Sequence, residues 1–275
     1  MTTTLLKHEW LRTRGALGMF FGVTFLVGVL GGLAGATGWS GLAEFGLLVG
    51  ILAVAVLVPG VQLLLAADYW RSGYGRTGYF THSIPVRGAT IFWAKVIWAV
   101  IVSLVAAVLT VPLIWVVWWA VSRNLAELPA PSLTVIGDVV AAVADVAPAW
   151  MIVAGVVLFL ASIFMSVVYY FFSVSIGHEH RLASLGVGGP IVVFVVVYVV
   201  SQIASFLGMV VIPFGVGMDG DGLGLVPFNV LAEMAEGTTG GGDVMPVGFL
   251  FALLVIAVFC LWRTARSWNR EVALR

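Results

Sequence analysis

Six long apolar segments constrain this chain more than any other feature of its sequence. A helix needs about 20 apolar residues to cross the ~30 Å hydrocarbon core of a bilayer, and each segment reaches or approaches that length. Only 9% of the residues are charged, against ~25% in soluble domains. The sequence therefore predicts an all-α integral membrane protein with six transmembrane helices. The segments lie near residues 17–36, 42–67, 91–121, 148–175, 183–212 and 246–262.

The basic residues lie almost entirely on one side of the predicted membrane. Of the 13 lysines and arginines in the chain, only Arg123 falls in a connection on the other side. Because cytoplasmic connections carry the excess of Lys and Arg, both termini are predicted to be cytoplasmic, in a multi-pass protein of the cell (plasma) membrane. The other basic residues are Lys7, Arg12, Arg14, Arg71, Arg76, Arg87, Lys95, Arg181, Arg263, Arg266, Arg270 and Arg275.

Several kinds of chemistry are excluded by the sequence. Neither lysine, Lys7 or Lys95, follows a glycine, so the chain has no phosphate-binding loop ending in Gly-Lys-Ser/Thr. The apolar segments carry no Asp, Glu, Lys, Arg or His over 18–36, 45–67, 96–121, 149–175, 182–212 and 246–262. Ion-coupled carriers place such groups at this depth. His178-Glu179-His180 is interpreted as a solvated loop rather than a metal site, and the single Cys260 excludes an intramolecular disulfide. No catalytic residue, metal or cofactor is predicted.

Mild polarity remains inside the apolar segments. On the fourth segment, polar or aromatic residues recur along one helical face, and the fifth segment adds a few more. One interpretation is a passage for an amphipathic substrate; the other is hydrogen bonding between helices, worth only ~0.6 kcal/mol on average. The candidate route residues are Ser166, Tyr169, Tyr170, Ser173 and Gln202. In the first segment, Gly28, Gly31, Gly32 and Gly35 predict a surface for close helix packing.

Three stretches outside the apolar segments have their own patterns. Residues 3–14 place Leu6 and Trp10 on one face beside basic residues, which predicts an interfacial elbow helix. Residues 213–245 are expected to form small outer helices, including a short amphipathic one at 225–236. The connection 68–90 mixes arginines with aromatic and aliphatic residues, a composition typical of protein interfaces. Lys95 at its end is expected to extend toward the headgroups.

The connection 68–90 also carries a short pattern, Gly-Tyr-x-Thr…Pro-Val-Arg…Ile…Lys. It consists of Gly78, Tyr79, Thr81, Pro85, Val86, Arg87, Ile91 and Lys95. With the N-terminal segment and six spans, this pattern resembles the permease subunits of type-2 ABC exporters. In that family the first cytoplasmic loop holds the coupling helix that docks onto the ATPase. Pro-Val-Arg-Gly departs from the commoner Pro-x-Ser-Arg form of the family.

The resemblance implies a single permease domain, 1–275, that moves an amphipathic peptide, antibiotic or lipid outward. ATP and Mg²⁺ would be bound by separate ABC ATPase subunits, and a second permease subunit, identical or related, would complete the complex in the lipid membrane. No nucleic acid is expected as a partner. The ATPase-docking residues would be Arg76, Tyr79, Phe80, Ile84, Pro85 and Arg87. The alternatives are a passive channel or ion-coupled carrier, and a non-transporting membrane partner or sensor protein.

Overall fold

The computed structural model describes residues 2–75, 86–125, 128–179, 182–220, 222–236 and 244–270. Six helices in these ranges are long and apolar enough to cross a membrane, which confirms the predicted number of spans. They are α1 (Thr2–Gly35), α2 (Leu42–Gly73), α3 (Gly88–Asn124), α5 (Ala149–Gly177), α6 (Gly188–Val211) and α8 (Gly248–Arg270). The shorter elements are α4 (Leu133–Val146), a 3-10 helix (Ala183–Leu185), β1 (Phe214–Asp219), β2 (Gly222–Pro227), α7 (Val230–Glu236) and β3 (Met245–Pro246).

The chain divides after Asp138 into two compact units, each with its own packing. The predicted single domain, 1–275, stays a prediction. In each unit, one end carries the basic residues that the sequence assigns to the cytoplasm, and we call it the basic end. In the first unit it comprises the start of α1, the end of α2 and the start of α3. In the second unit it comprises the end of α5, the start of α6 and the end of α8.

Glycines bring α1 and α2 of the first unit into close contact. A Cβ on Gly31 would lie 2.7 Å from the backbone nitrogen of Gly50 and 2.9 Å from the carbonyl oxygen of Gly46. A Cβ on Gly28 would lie 3.0 Å from the Cβ of Ala53. Only residues without side chains permit this approach, which is the small-residue packing typical of membrane helices. The glycine surface predicted in the first segment therefore packs inside the unit.

The second unit packs α5, α6 and α8 around a buried apolar cluster. The cluster consists of Val168, Phe172, Val193, Val197 and Cys260. Near the opposite end of these helices, a Cβ on Gly208 would lie 2.6 Å from the carbonyl oxygen of Gly248, so α6 and α8 also meet at glycines.

The segment between α6 and α8 corrects the all-α prediction. Most of residues 214–227 form the antiparallel strands β1 and β2, and β3 extends the sheet to the order β2-β1-β3. Glycine alternates with larger residues here, and Gly220 turns the chain at a φ of 66°. Glycine lowers helix propensity, and an alternation of period two suits a strand. The second part of the predicted helix 225–236 is helical, as α7 (Val230–Glu236), and its first turn is capped by the Asn229 side chain.

Residues 3–14 differ from the predicted elbow helix. They form the first turns of α1, which continues without a break to Gly35. Their polar side chains bond to α2 and α3, so these turns pack on the unit as part of a span. The connection between α3 and α5 contains α4, a helix of 14 residues.

Candidate functional site: a charged cluster at the base of the α2–α3 connection

Most of the predicted ATPase-docking residues lie outside the described residues. These are Arg76, Tyr79, Phe80, Ile84 and Pro85. Arg87 is described: it is exposed and directly precedes α3, and its carbonyl oxygen accepts a hydrogen bond from the backbone nitrogen of Thr90 at 2.8 Å. The structure therefore defines the two ends of this connection, where α2 stops and α3 starts.

Four charged side chains and one hydroxyl meet at these ends. We call Glu9, Arg12, Asp68, Ser72 and Lys95 the charged cluster. Lys95 Nζ donates to Glu9 Oε1 at 2.8 Å and to Ser72 Oγ at 2.9 Å. Arg12 binds Asp68 with two hydrogen bonds, Nε to Oδ1 at 3.0 Å and Nη2 to Oδ2 at 2.5 Å, and its Nη2 also pairs with Glu9. The cluster thus joins α1, α2 and α3 directly.

Burial makes the balance of charges in the cluster important. The Lys95 side chain is 3% exposed and that of Glu9 is 11% exposed, whereas Arg12 is 36% exposed. Two carboxylates face two cations, so the formal charge of the cluster is zero. A buried charge is tolerated when it is paired and hydrogen-bonded, but it is costly when its partner is removed. The cluster is therefore a rigid link only while all its members are present.

Further contacts hold the α1 side of the cluster in place. The Thr13 hydroxyl donates to the Glu9 carbonyl oxygen at 2.8 Å, and Trp98 Nε1 donates to Thr13 Oγ1 at 3.1 Å. The Trp98 ring meets Trp10 edge to face at a centroid distance of 5.8 Å. These bonds fix the rotation of α1 against α3 next to the buried ion pair.

The end of α2 is also tied to the cluster. Ser72 Oγ, which accepts from Lys95, donates to the Asp68 carbonyl oxygen at 2.8 Å. Directly after the helix ends, the ring of Tyr74 packs edge to face on Tyr69 with centroids 5.9 Å apart. Any displacement of the connection therefore acts on a helix end that is bonded to both of its neighbours.

The predicted orientation of Lys95 toward the headgroups is wrong. Its ammonium group points into the unit because Glu9 and Ser72 supply acceptors there. The sequence did contain a signal for this pairing: Glu9, Asp68 and Lys95 all sit at the same predicted membrane level. Opposite charges at one level of neighbouring spans are candidates for ion pairs.

Three of the predicted route residues make contacts within the second unit. Tyr169 Oη donates to the Leu253 carbonyl oxygen of α8 at 3.0 Å. Tyr170 stacks on Phe194 of α6 with centroids 5.3 Å apart. Ser173 is buried, and its hydroxyl donates to the Tyr169 carbonyl oxygen at 2.7 Å. Tyr169 and Tyr170 therefore contact neighbouring helices, whereas Ser173 bonds within its own helix.

The other two route residues are placed differently. Ser166 is partly exposed and donates to the Ile163 carbonyl oxygen of its own helix at 2.9 Å. Gln202 is exposed on α6. The five residues thus differ in exposure, from buried Ser173 to exposed Gln202, and the substrate route stays a prediction.

A smaller ionic contact closes the basic end of the second unit. Glu179, just after α5, accepts from Arg263 at 2.7 Å and from Ser267 at 2.9 Å, both on α8. His178 Nδ1 lies 2.8 Å from the Val174 carbonyl oxygen. Among the described residues, no group of three His, Cys, Asp or Glu side chains is placed to hold a metal ion. His180 lies outside the described residues.

Comparison with models of known families, with curated proteins and with solved structures finds no match to this chain. The family resemblance of the loop and span pattern therefore stays a prediction, and the geometry has to support any functional proposal.

Proposed function

We propose that this chain is the transmembrane permease subunit of an ATP-binding cassette exporter. It would move an amphipathic substrate (peptide, antibiotic or lipid) outward across the plasma membrane, with both termini cytoplasmic. ATP and Mg²⁺ would be bound by separate ATPase subunits, and a second permease subunit would complete the complex. The charged cluster carries this proposal, because it sits at the base of the connection whose sequence resembles a coupling loop.

The cluster suits the transmission of force from an ATPase to the membrane helices. If the helix ends next to the connection were not bonded to other helices, a displacement of the connection would move only those ends. Here Asp68 and Ser72 on α2 are bonded to Arg12 on α1 and Lys95 on α3, so movement of the connection displaces three helices together. Packed side chains and networks of hydrogen bonds and ion pairs can carry coupling between distant sites.

Docking itself would be carried by residues of the connection. Tyr79, Phe80 and Ile84 would insert into the ATPase, since aromatic and aliphatic side chains anchor interfaces. Arg76 and Arg87 would contact the rim of the docking site, and Pro85 would begin the return to α3. The substrate route would include Ser166, Tyr169, Tyr170, Ser173 and Gln202, and Tyr169 and Tyr170 would also hold α5 against its neighbours.

The test is co-purification of the full chain, tagged and expressed in its native host, with ATP-hydrolysing partners. A partner with ATPase activity should be retained by the wild type and lost from a Tyr79→Ala/Phe80→Ala variant. Trp39→Ala/Phe45→Ala is the matched control, because both aromatic residues are exposed at the opposite end of α1 and α2. Equal recovery of the ATPase with both double variants would refute the docking assignment, and the absence of any ATPase would refute the exporter.

A further inference from the structure

The second unit contains an apolar groove between α5, α6 and α8. Its volume is about 740 Å³, and its walls are aliphatic and phenylalanine side chains with Cys260. That volume lies within the ~300–1,000 Å³ of ordinary ligand pockets, but such pockets usually add a few polar groups. A groove without them has no means of orienting a polar molecule and suits a hydrocarbon chain.

The groove opens outward along the membrane-spanning length of the helices. Its floor is buried, with Cys260 2% and Val193 7% exposed. Its rim is exposed, with Val196 54% and Phe259 55% exposed. Because α6 and α8 are long enough to span the bilayer, a rim at this level faces the hydrocarbon region, where acyl chains are the surrounding solvent.

The positively charged side chain of Arg266 lies beyond the groove, toward the basic end. Phe259, Trp262 and Arg266 follow one face of α8 at i, i+3 and i+7. The Trp262 ring lies 6.3 Å from the Phe259 ring, and the Arg266 guanidinium carbon lies 5.7 Å from the Trp262 centroid. Seven residues of helix span about 10 Å. Phe259 therefore lies at the depth of the hydrocarbon region, Trp262 at the interface and Arg266 at the level of the headgroups.

Arg266 is free to bind an external anion. It is exposed, and within the described part of the chain it takes part in no ion pair, unlike Arg263, which binds Glu179. A second copy of this chain, inserted with the same orientation, would bring its own basic end to the same level and repel this arginine. An anionic headgroup is attracted to it.

We propose that this groove is a binding site for an anionic phospholipid of the cytoplasmic leaflet. One acyl chain lies in the groove along Val193, Val196 and Phe259. The phosphate lies beside Arg266, and the Trp262 ring packs at the level between them. The proposal rests on the groove and on the predicted orientation of the chain, and it does not require the exporter function.

The test is native mass spectrometry of the purified full chain titrated with phosphatidylglycerol or phosphatidylcholine of identical acyl chains. The wild type should bind phosphatidylglycerol more tightly. One arginine near a charged headgroup is worth about 1 kcal/mol, so Arg266→Gln should reduce that preference roughly fivefold. Val196→Trp should fill the groove from its rim and weaken binding of both lipids.

Two variants serve as matched controls. Val195→Trp adds the same side chain next to Val196, at a position of α6 that is exposed but does not line the groove. Arg14→Gln removes an exposed arginine from α1. Neither should change lipid binding. Equal affinity of the wild type for both lipids, or equal effects of the two tryptophan variants, would overturn the proposal. Conversion of a dimer to a monomer by Val196→Trp would instead assign the groove to a second copy and overturn it as well.

Discussion

Removal of the Glu9 carboxylate should destabilise the first unit far more than the loss of an exposed ion pair, which is worth about 0–1 kcal/mol. The Lys95 ammonium lies 2.8 Å from Glu9 Oε1. At an effective dielectric constant of about 20, that distance corresponds to a gross attraction of ~6 kcal/mol. Desolvation of both groups offsets much of this attraction in the intact protein. Glu9→Leu leaves the buried lysine without this carboxylate, so we expect a loss of about 3 kcal/mol, the lower end of measured values for broken buried pairs.

Substitution of Lys95 should cost less stability than substitution of Glu9. Lys95→Met leaves the Glu9 carboxylate bonded to Arg12, which is partly exposed and can be solvated. We therefore expect a smaller loss, about 2 kcal/mol, from this change. Glu9→Leu/Lys95→Met replaces the pair by apolar side chains of similar volume, which is often close to neutral. The double variant should therefore lose less stability than either single variant. The resulting coupling energy is a few kcal/mol, near or above the top of the ~0.5–3 kcal/mol range for residues in contact.

The measurement is reversible unfolding in mixed micelles of increasing SDS fraction, followed by tryptophan fluorescence. Lys7→Met is the matched control, because Lys7 is exposed on the same turns of α1 and its loss should stay within about 0.5 kcal/mol. If the effects of Glu9→Leu and Lys95→Met simply add in the double variant, the two charges do not interact and the cluster is not a link between helices.

Two further predictions concern packing and the route. Gly31→Leu should lower the free energy of unfolding by at least 1–3 kcal/mol, roughly the cost of overpacking, because its Cβ would lie 2.7 Å from the backbone nitrogen of Gly50. Gly18→Leu is the control, since nothing lies within 4 Å of a Cβ at Gly18. Equal losses of the two variants in the same SDS titration would contradict the packing argument. Ser166→Leu and Gln202→Leu should reduce efflux of amphipathic dyes from cells while ATPase binding is kept, and normal efflux would place the route elsewhere.

The spans could be predicted because the signal for each is local. An apolar stretch of sufficient length has one stable solution in a bilayer, a helix with its backbone hydrogen bonds satisfied internally. The same logic predicts close packing at Gly28 and Gly31, but it cannot identify the partner. Gly46 and Gly50 fill that role. They form a Gly-x-x-x-Gly pattern of their own, but the pattern does not say which span it packs against.

The charged cluster could not be predicted residue by residue. Glu9, Asp68 and Lys95 each lie at the end of an apolar segment, where a charge is ordinary and needs no partner. Their pairing depends on the rotation of three helices about their axes, which is set by packing elsewhere in the unit. The strands β1 and β2 were missed for a different reason: apolar residues with glycines fit several structures, and the pairing of Val216 with Leu225 and Met245 is tertiary.

The basic residues of this chain serve two purposes that a count of charges does not separate. The orientation of a membrane protein responds to lysines and arginines near its spans during insertion, before helices pair. After folding, Lys95, Arg12 and Arg263 are held by Glu9, Asp68 and Glu179, so their charge no longer attracts the anionic lipids of the membrane surface. The remaining attraction for anionic lipids is concentrated at exposed residues such as Arg87 and Arg266. A residue such as Lys95 therefore contributes first to topology and then to the connection between helices, and its substitution should affect both insertion and stability.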